Sequence, residues 1–102
     1  GEQPAAPETI TLTRKEGSAD SIRLMTGVKS PMRLTDSGSG HTVEVAFDEN
    51  VFTNGVLWQQ DAETFVCMEP WNGWANSVNE AGRHIELAPG ASKTFAWSIT
   101  IG

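Results

Sequence analysis

Apolar and polar residues alternate with a period of two along most of this chain, and no stretch carries a convincing 3.6-residue helical period. Alternation begins at Ile10-Thr11-Leu12-Thr13, where Ile10 and Leu12 share a face, and the charged turn Lys15-Glu16-Gly17-Ser18 follows. Ser21 to Val28 alternates again, with Ile22 and Leu24 on one side and Arg23 on the other. Pro31 interrupts it, and Met32-Arg33-Leu34-Thr35 reads as a short strand. Asp36-Ser37-Gly38-Ser39-Gly40 is a turn by composition. From His41 to Phe47 the pattern puts Val43, Val45 and Phe47 inward and Thr42 and Glu44 outward. Asp48-Glu49-Asn50 ends that strand, and Thr53-Asn54-Gly55 is a further turn signal. Val56 to Gln60 and Thr64 to Met68 are apolar runs, as expected of strands covered on both faces, and Asp61-Ala62-Glu63 suits a short hairpin loop between them. Arg83 to Leu87 is predicted as a short strand and Ala88-Pro89-Gly90 as a turn. Ser92 to Ile101 is the longest alternation, with Phe95, Trp97, Ile99 and Ile101 on one face and Thr94, Ser98 and Thr100 on the other.

Short strands at this spacing, divided by Gly and Pro turns, predict an all-β fold, an antiparallel β-sandwich. At 102 residues the chain is one domain. Residues 1–7 read as a flexible leader and 8–102 as a single sandwich domain. No repeat, signal peptide or apolar run of membrane-spanning length is evident.

Charge narrows the partners. Thirteen acidic residues against seven basic ones give a net charge of -6 with no basic run, a poor match for nucleic acid or an anionic membrane. A single cysteine, Cys67, leaves no internal disulfide and reads as a small buried hydrophobe. A cytoplasmic location is the expectation.

Candidate chemistry concentrates in Phe65-Val66-Cys67-Met68-Glu69-Pro70-Trp71-Asn72-Gly73-Trp74-Ala75-Asn76. A carboxylate ends an apolar run, Pro70 is expected to stop the strand, and two Trp and two Asn crowd the next six positions. Trp faces suit the C–H patches of a sugar, amides suit its hydroxyls, and a carboxylate can move a proton. The same residues also fit a strand end followed by a loop whose Trp side chains plug a core. Trp58 and Trp97 fall on strands and are expected in the core. Elsewhere no Cys/His cluster has zinc spacing, no loop has the calcium-ligand pattern, and no Gly-rich phosphate loop precedes a helix, so neither metal nor cofactor is expected. Arg14, Arg23, Arg33 and Arg83 read as scattered solvated charges.

The ordered set of a strand ending Cys67-Met68-Glu69-Pro70-Trp71, an Asn-containing loop at Asn76-Ser77-Val78-Asn79, the turn Leu87-Ala88-Pro89-Gly90-Ala91-Ser92 and a Trp-containing last strand resembles the end of the aldose 1-epimerases, the galactose mutarotase-like family. Val56 to Gln60 also looks like that family's strand before the Glu strand. The resemblance is good from residue 54 to Gly102 and weaker from Glu8 to Phe52. It implies a segment, about the last third, of a large antiparallel supersandwich, either repacked or self-associated. It also implies cofactor-free interconversion of sugar anomers. In that chemistry a Glu takes the proton of the anomeric hydroxyl while a His protonates the ring oxygen. Glu69 takes the general-base position, in a partly apolar setting. Trp71, Trp74, Asn72 and Asn76 are the expected substrate-binding residues, and a monosaccharide or sugar phosphate the expected ligand.

The family's acid His lies well upstream of the Glu strand. His41 and His84 sit elsewhere and read as solvent-facing strand residues, so Glu69 is carried over alone. Three readings remain open: an aldose 1-epimerase-like segment, a carbohydrate-binding sandwich without chemistry, and a structural or interaction domain. A third of a large sandwich would leave open sheet edges, so either self-association through an edge or face or a repacked smaller barrel is expected.

Overall fold

The strongest alternation forms the centre of one sheet. Val43, Val45 and Phe47 lie on one face of a strand running Thr42–Phe47, and Val45 and Phe47 are buried. A computed structural model describes residues 3–12, 21–59 and 65–102. The predicted turn at Lys15–Ser18 and the linker Asp61–Glu63 lie outside the described residues. Among the described residues six strands form: β1 (Ser21–Thr26), β2 (Met32–Thr35), β3 (Thr42–Phe47), β4 (Asn54–Gln59), β5 (Val66–Trp71) and β6 (Trp97–Ile101). They make two antiparallel three-stranded sheets, ordered β1-β4-β5 and β2-β3-β6. Among the described residues the only helical element is a single 3-10 turn at Ser77–Asn79, and no helix is long and apolar enough to cross a membrane.

The sheets meet over a small core. Met25, Val28, Val45 and Phe47 are buried together, and Met32, Phe52, Leu57 and Met68 pack against them. Phe47 meets Phe52 edge-on, with ring centroids 6.3 Å apart, and Phe52 meets Phe95 at 6.4 Å. The fold is therefore an all-β sandwich, as the alternation predicts. The hairpin joining β2 to β3 is held by Asp36, whose carboxylate accepts hydrogen bonds from the Gly38 amide and the Ser39 hydroxyl. Across that hairpin Arg33 is paired with Glu44.

Several elements depart from the sequence expectation. β5 runs through Pro70 to Trp71 instead of stopping at Glu69. Among the described residues β5 is an edge strand, so the N–H that Pro lacks can be one the ladder does not use. Asn54 and Gly55, expected in a turn, begin β4 and are buried. A Cβ at Gly55 would lie 2.5 Å from Val28 Cγ1, so only glycine lets the Val28 side chain cross the strand there. Ile10 to Leu12 and Arg83 to Leu87 form no strand. Residues 4–6, read as part of a leader, run beside β1: the Ala6 amide donates to the Thr26 carbonyl and the Thr26 amide to the Pro4 carbonyl.

The last strand differs most. It is confined to Trp97–Ile101, and its apolar row is open to solvent, with Trp97 60%, Ile99 53% and Ile101 79% exposed. By register these residues lie beside Phe47, Val45 and Val43, on the core-facing side of their sheet. β6 thus projects past the opposite sheet. Trp97 is not a core residue, because most of its surface is exposed.

Candidate functional site

Strand parity sorts the residues of the β1-β4-β5 sheet. Met25, Leu57 and Met68 point into the core, so their neighbours along each strand point outward. Three rows cross this outer face: Ile22, Trp58 and Cys67; Leu24, Val56 and Glu69; Thr26, Asn54 and Trp71. The outer face of a sandwich is usually polar, yet here six of the nine side chains are aliphatic, aromatic or thiol, Thr26 and Asn54 are the neutral polar ones, and Glu69 is the one carboxylate. Val56, directly across from it, is 1% exposed.

Glu69 is half-buried, and its Oε1 accepts a long hydrogen bond, 3.4 Å, from the Trp71 indole N–H. The two residues are neighbours on one face because β5 stays extended through Pro70. Trp71 in turn contacts Trp74, with ring centroids 5.7 Å apart and planes tilted by 48°. A carboxylate and two indoles therefore stand in sequence along the end of β5 and the loop that follows.

Beyond the Thr26–Asn54–Trp71 row opens a cleft of about 670 Å³, bounded on its far side by the loop Asn72 to Ile85. Asn54, Asn72, Trp74, Ser77, Arg83 and His84 line it. Asn54 is 7% exposed, and its Nδ2 lies 3.5 Å from the Asn72 carbonyl. Asn72 donates through Nδ2 to the Val51 carbonyl at 2.6 Å, which fixes the start of the loop. The loop then folds tightly, since a Cβ at Gly73 would lie 2.5 Å from Ser77 Oγ. Asn76 adopts the left-handed conformation (φ 69°), one Asn tolerates well, and its Oδ1 accepts from Asn79 Nδ2 at 2.6 Å.

Of the five residues expected at a site, Glu69, Trp71 and Trp74 are linked by contact. Asn72 and Trp74 line the cleft. Asn76 does not line it, and its side chain serves the loop. Sequence reasoning missed Asn54, hidden in a turn signal, and read His84 as a solvent-facing strand residue. His84 is instead half-buried and anchors the loop. Its Nδ1–H donates to the Ser77 and Glu80 carbonyls at 3.0 and 2.9 Å, and its Nε2–H to Glu86 Oε1 at 3.0 Å. Both nitrogens face acceptors, so the imidazolium is favoured. The Glu86 carboxylate most of all, then the Ser77 and Glu80 carbonyls, raise the His84 pKa above its ordinary 6.5. His41 is exposed beside the β2–β3 turn.

None of the protein-family models, curated proteins or solved structures compared with the chain matches it.

Proposed function

We propose that this chain serves carbohydrate chemistry, as the C-terminal part of an aldose 1-epimerase-like protein, with the outer face of the β1-β4-β5 sheet as part of the sugar site of a larger supersandwich. The observation that carries this reading is the isolation of Glu69 on an apolar sheet face, hydrogen-bonded to Trp71 and followed by Trp74. A hexose laid on the indoles would keep its apolar C–H faces against Trp71 and Trp74 and bring a hydroxyl to the carboxylate. Glu69 then takes the anomeric hydroxyl proton as general base while the C1–O5 bond breaks and solvent water protonates the ring oxygen. The carbonyl end turns, and on closure at the other face the ring hydroxyl gives its proton back to solvent while Glu69 returns its own to the anomeric oxygen. The ligand is a monosaccharide or a sugar phosphate, and the free Cys67 suits a cytoplasmic setting.

Loss of one partner from a proton-transfer pair costs about 10²–10⁴ in rate. Neither histidine contacts Glu69 here: His84 is committed to its own loop, and Trp71 is the carboxylate's one side-chain partner among the described residues. That arrangement favours, as a second reading, a sandwich that binds sugar without turning it over. Polarimetry separates the two. Slow relaxation of pure α-glucose or α-galactose above the rate in buffer, removed by Glu69→Gln, supports the epimerase reading. Saturable sugar binding without any Glu69-dependent rate supports the binding module.

A further inference from the structure

The parity of β6 gives its open edge a definite chemical content. The Thr42 and Gly102 amides each donate to the other's carbonyl, at 2.8 and 2.9 Å, so these two form a hydrogen-bonded pair. Pairs of this kind alternate along an antiparallel ladder, so Thr100 and Ser98 also turn their backbone groups toward β3. Trp97, Ile99 and Ile101 therefore turn their N–H and C=O groups away from β3, and among the described residues no strand lies on that side. The same three residues carry the exposed apolar row. An open edge is usually guarded by Lys, Pro, a bulge or an inward charge. β6 reads Trp-Ser-Ile-Thr-Ile and has none of these. Nor does the acidic balance of the chain protect it, because residues 87–102 contain no Asp or Glu and one Lys.

We propose that β6 is a self-association edge that pairs antiparallel with β6 of a second copy across a two-fold axis at Ile99. This inference is independent of the sugar reading. In the register that overlaps the whole strand, Ile99 faces its own copy and Trp97 faces Ile101 of the second molecule. All three positions are hydrogen-bonded pairs, as the parity of both edges requires. The result is a continuous sheet ordered β2-β3-β6-β6-β3-β2. Each Trp97 gains a β-branched neighbour on its own face, a favourable cross-strand combination. Pairing along the edge of one five-residue strand buries a total area below about 1,200 Å². That area lies at the low end for a specific interface, so the dimer is weak and concentration-dependent.

Sedimentation of the full chain across a wide concentration range, combined with amide hydrogen exchange, tests this. The expected result is a reversible shift from 11.0 kDa toward twice that mass. Protection should rise with concentration at the Trp97, Ile99 and Ile101 amides, while Ser98 and Thr100 stay protected by β3 throughout. Two variants should hold the chain monomeric. Ile99→Lys places a charge at the axis. Ile99→Pro removes an N–H that β3 does not use, so it spares the folded sheet. Dispersed Trp signals check that each variant folds. A wild-type chain that stays at 11.0 kDa at every concentration overturns the proposal, as does a dimer that survives both variants or protects a different set of amides.

Discussion

The indole N–H of Trp71 points at the carboxylate of Glu69, two positions back on the same face of an edge strand, at 3.4 Å. That relationship exists only because β5 continues through Pro70. It joins the one outward carboxylate of the apolar sheet face to the ring pair with Trp74.

If these rings form the floor of a sugar site, Trp71→Ala weakens hexose binding by about tenfold, roughly 1.4 kcal/mol, in an isothermal titration. Asn76→Gly leaves the affinity unchanged, because the Asn76 side chain already serves Asn79 and its left-handed backbone suits glycine. Equal losses from both changes would place the ligand on the loop and not on the indoles.

Gly55 tests how closely the sheets are seated. An added Cβ meets Val28 Cγ1 at 2.5 Å in the buried first half of β4, so Gly55→Ala should cost about 1–3 kcal/mol by overpacking. Denaturant unfolding of the two proteins measures it. Gly82→Ala has open space around its Cβ but a positive φ (73°), so its cost is local strain of about 1 kcal/mol.

The His84 anchor gives the cleft loop a pH dependence with a definite sign. Its folded-state pKa is raised, so the stabilisation is complete below the unfolded value of 6.5 and is lost as pH rises through the higher folded value. The ring-proton titration of His84 should have a midpoint above 6.5, and Glu86→Gln should lower it, since the Glu86 carboxylate is the largest cause. His84→Gln should remove the pH dependence of loop protection in hydrogen exchange.

Much of this architecture was legible in the residues, and the failures have physical causes. Val43, Val45 and Phe47 announce their strand and its inward face because alternation is a local property. The row Trp97, Ile99 and Ile101 alternates equally well, yet burial depends on what stands opposite, which no local pattern contains. Pro70 reads as a stop because a central strand cannot spare its N–H, but an edge strand can. Asn54-Gly55 reads as a turn by composition, although the glycine is there to admit Val28. Glu69, Trp71 and Trp74 stand out by residue type, whereas Asn54 and His84 reach the cleft only through tertiary contacts.

The most direct test of the sugar reading is an amide and indole proton–nitrogen NMR titration of the full chain with glucose, galactose and their 6-phosphates. Saturable shifts are expected at the Trp71 and Trp74 indoles and the Glu69 amide, with the Trp97 indole unmoved. A dispersed spectrum that no sugar perturbs would contradict the sugar reading and leave a folded scaffold without a carbohydrate site.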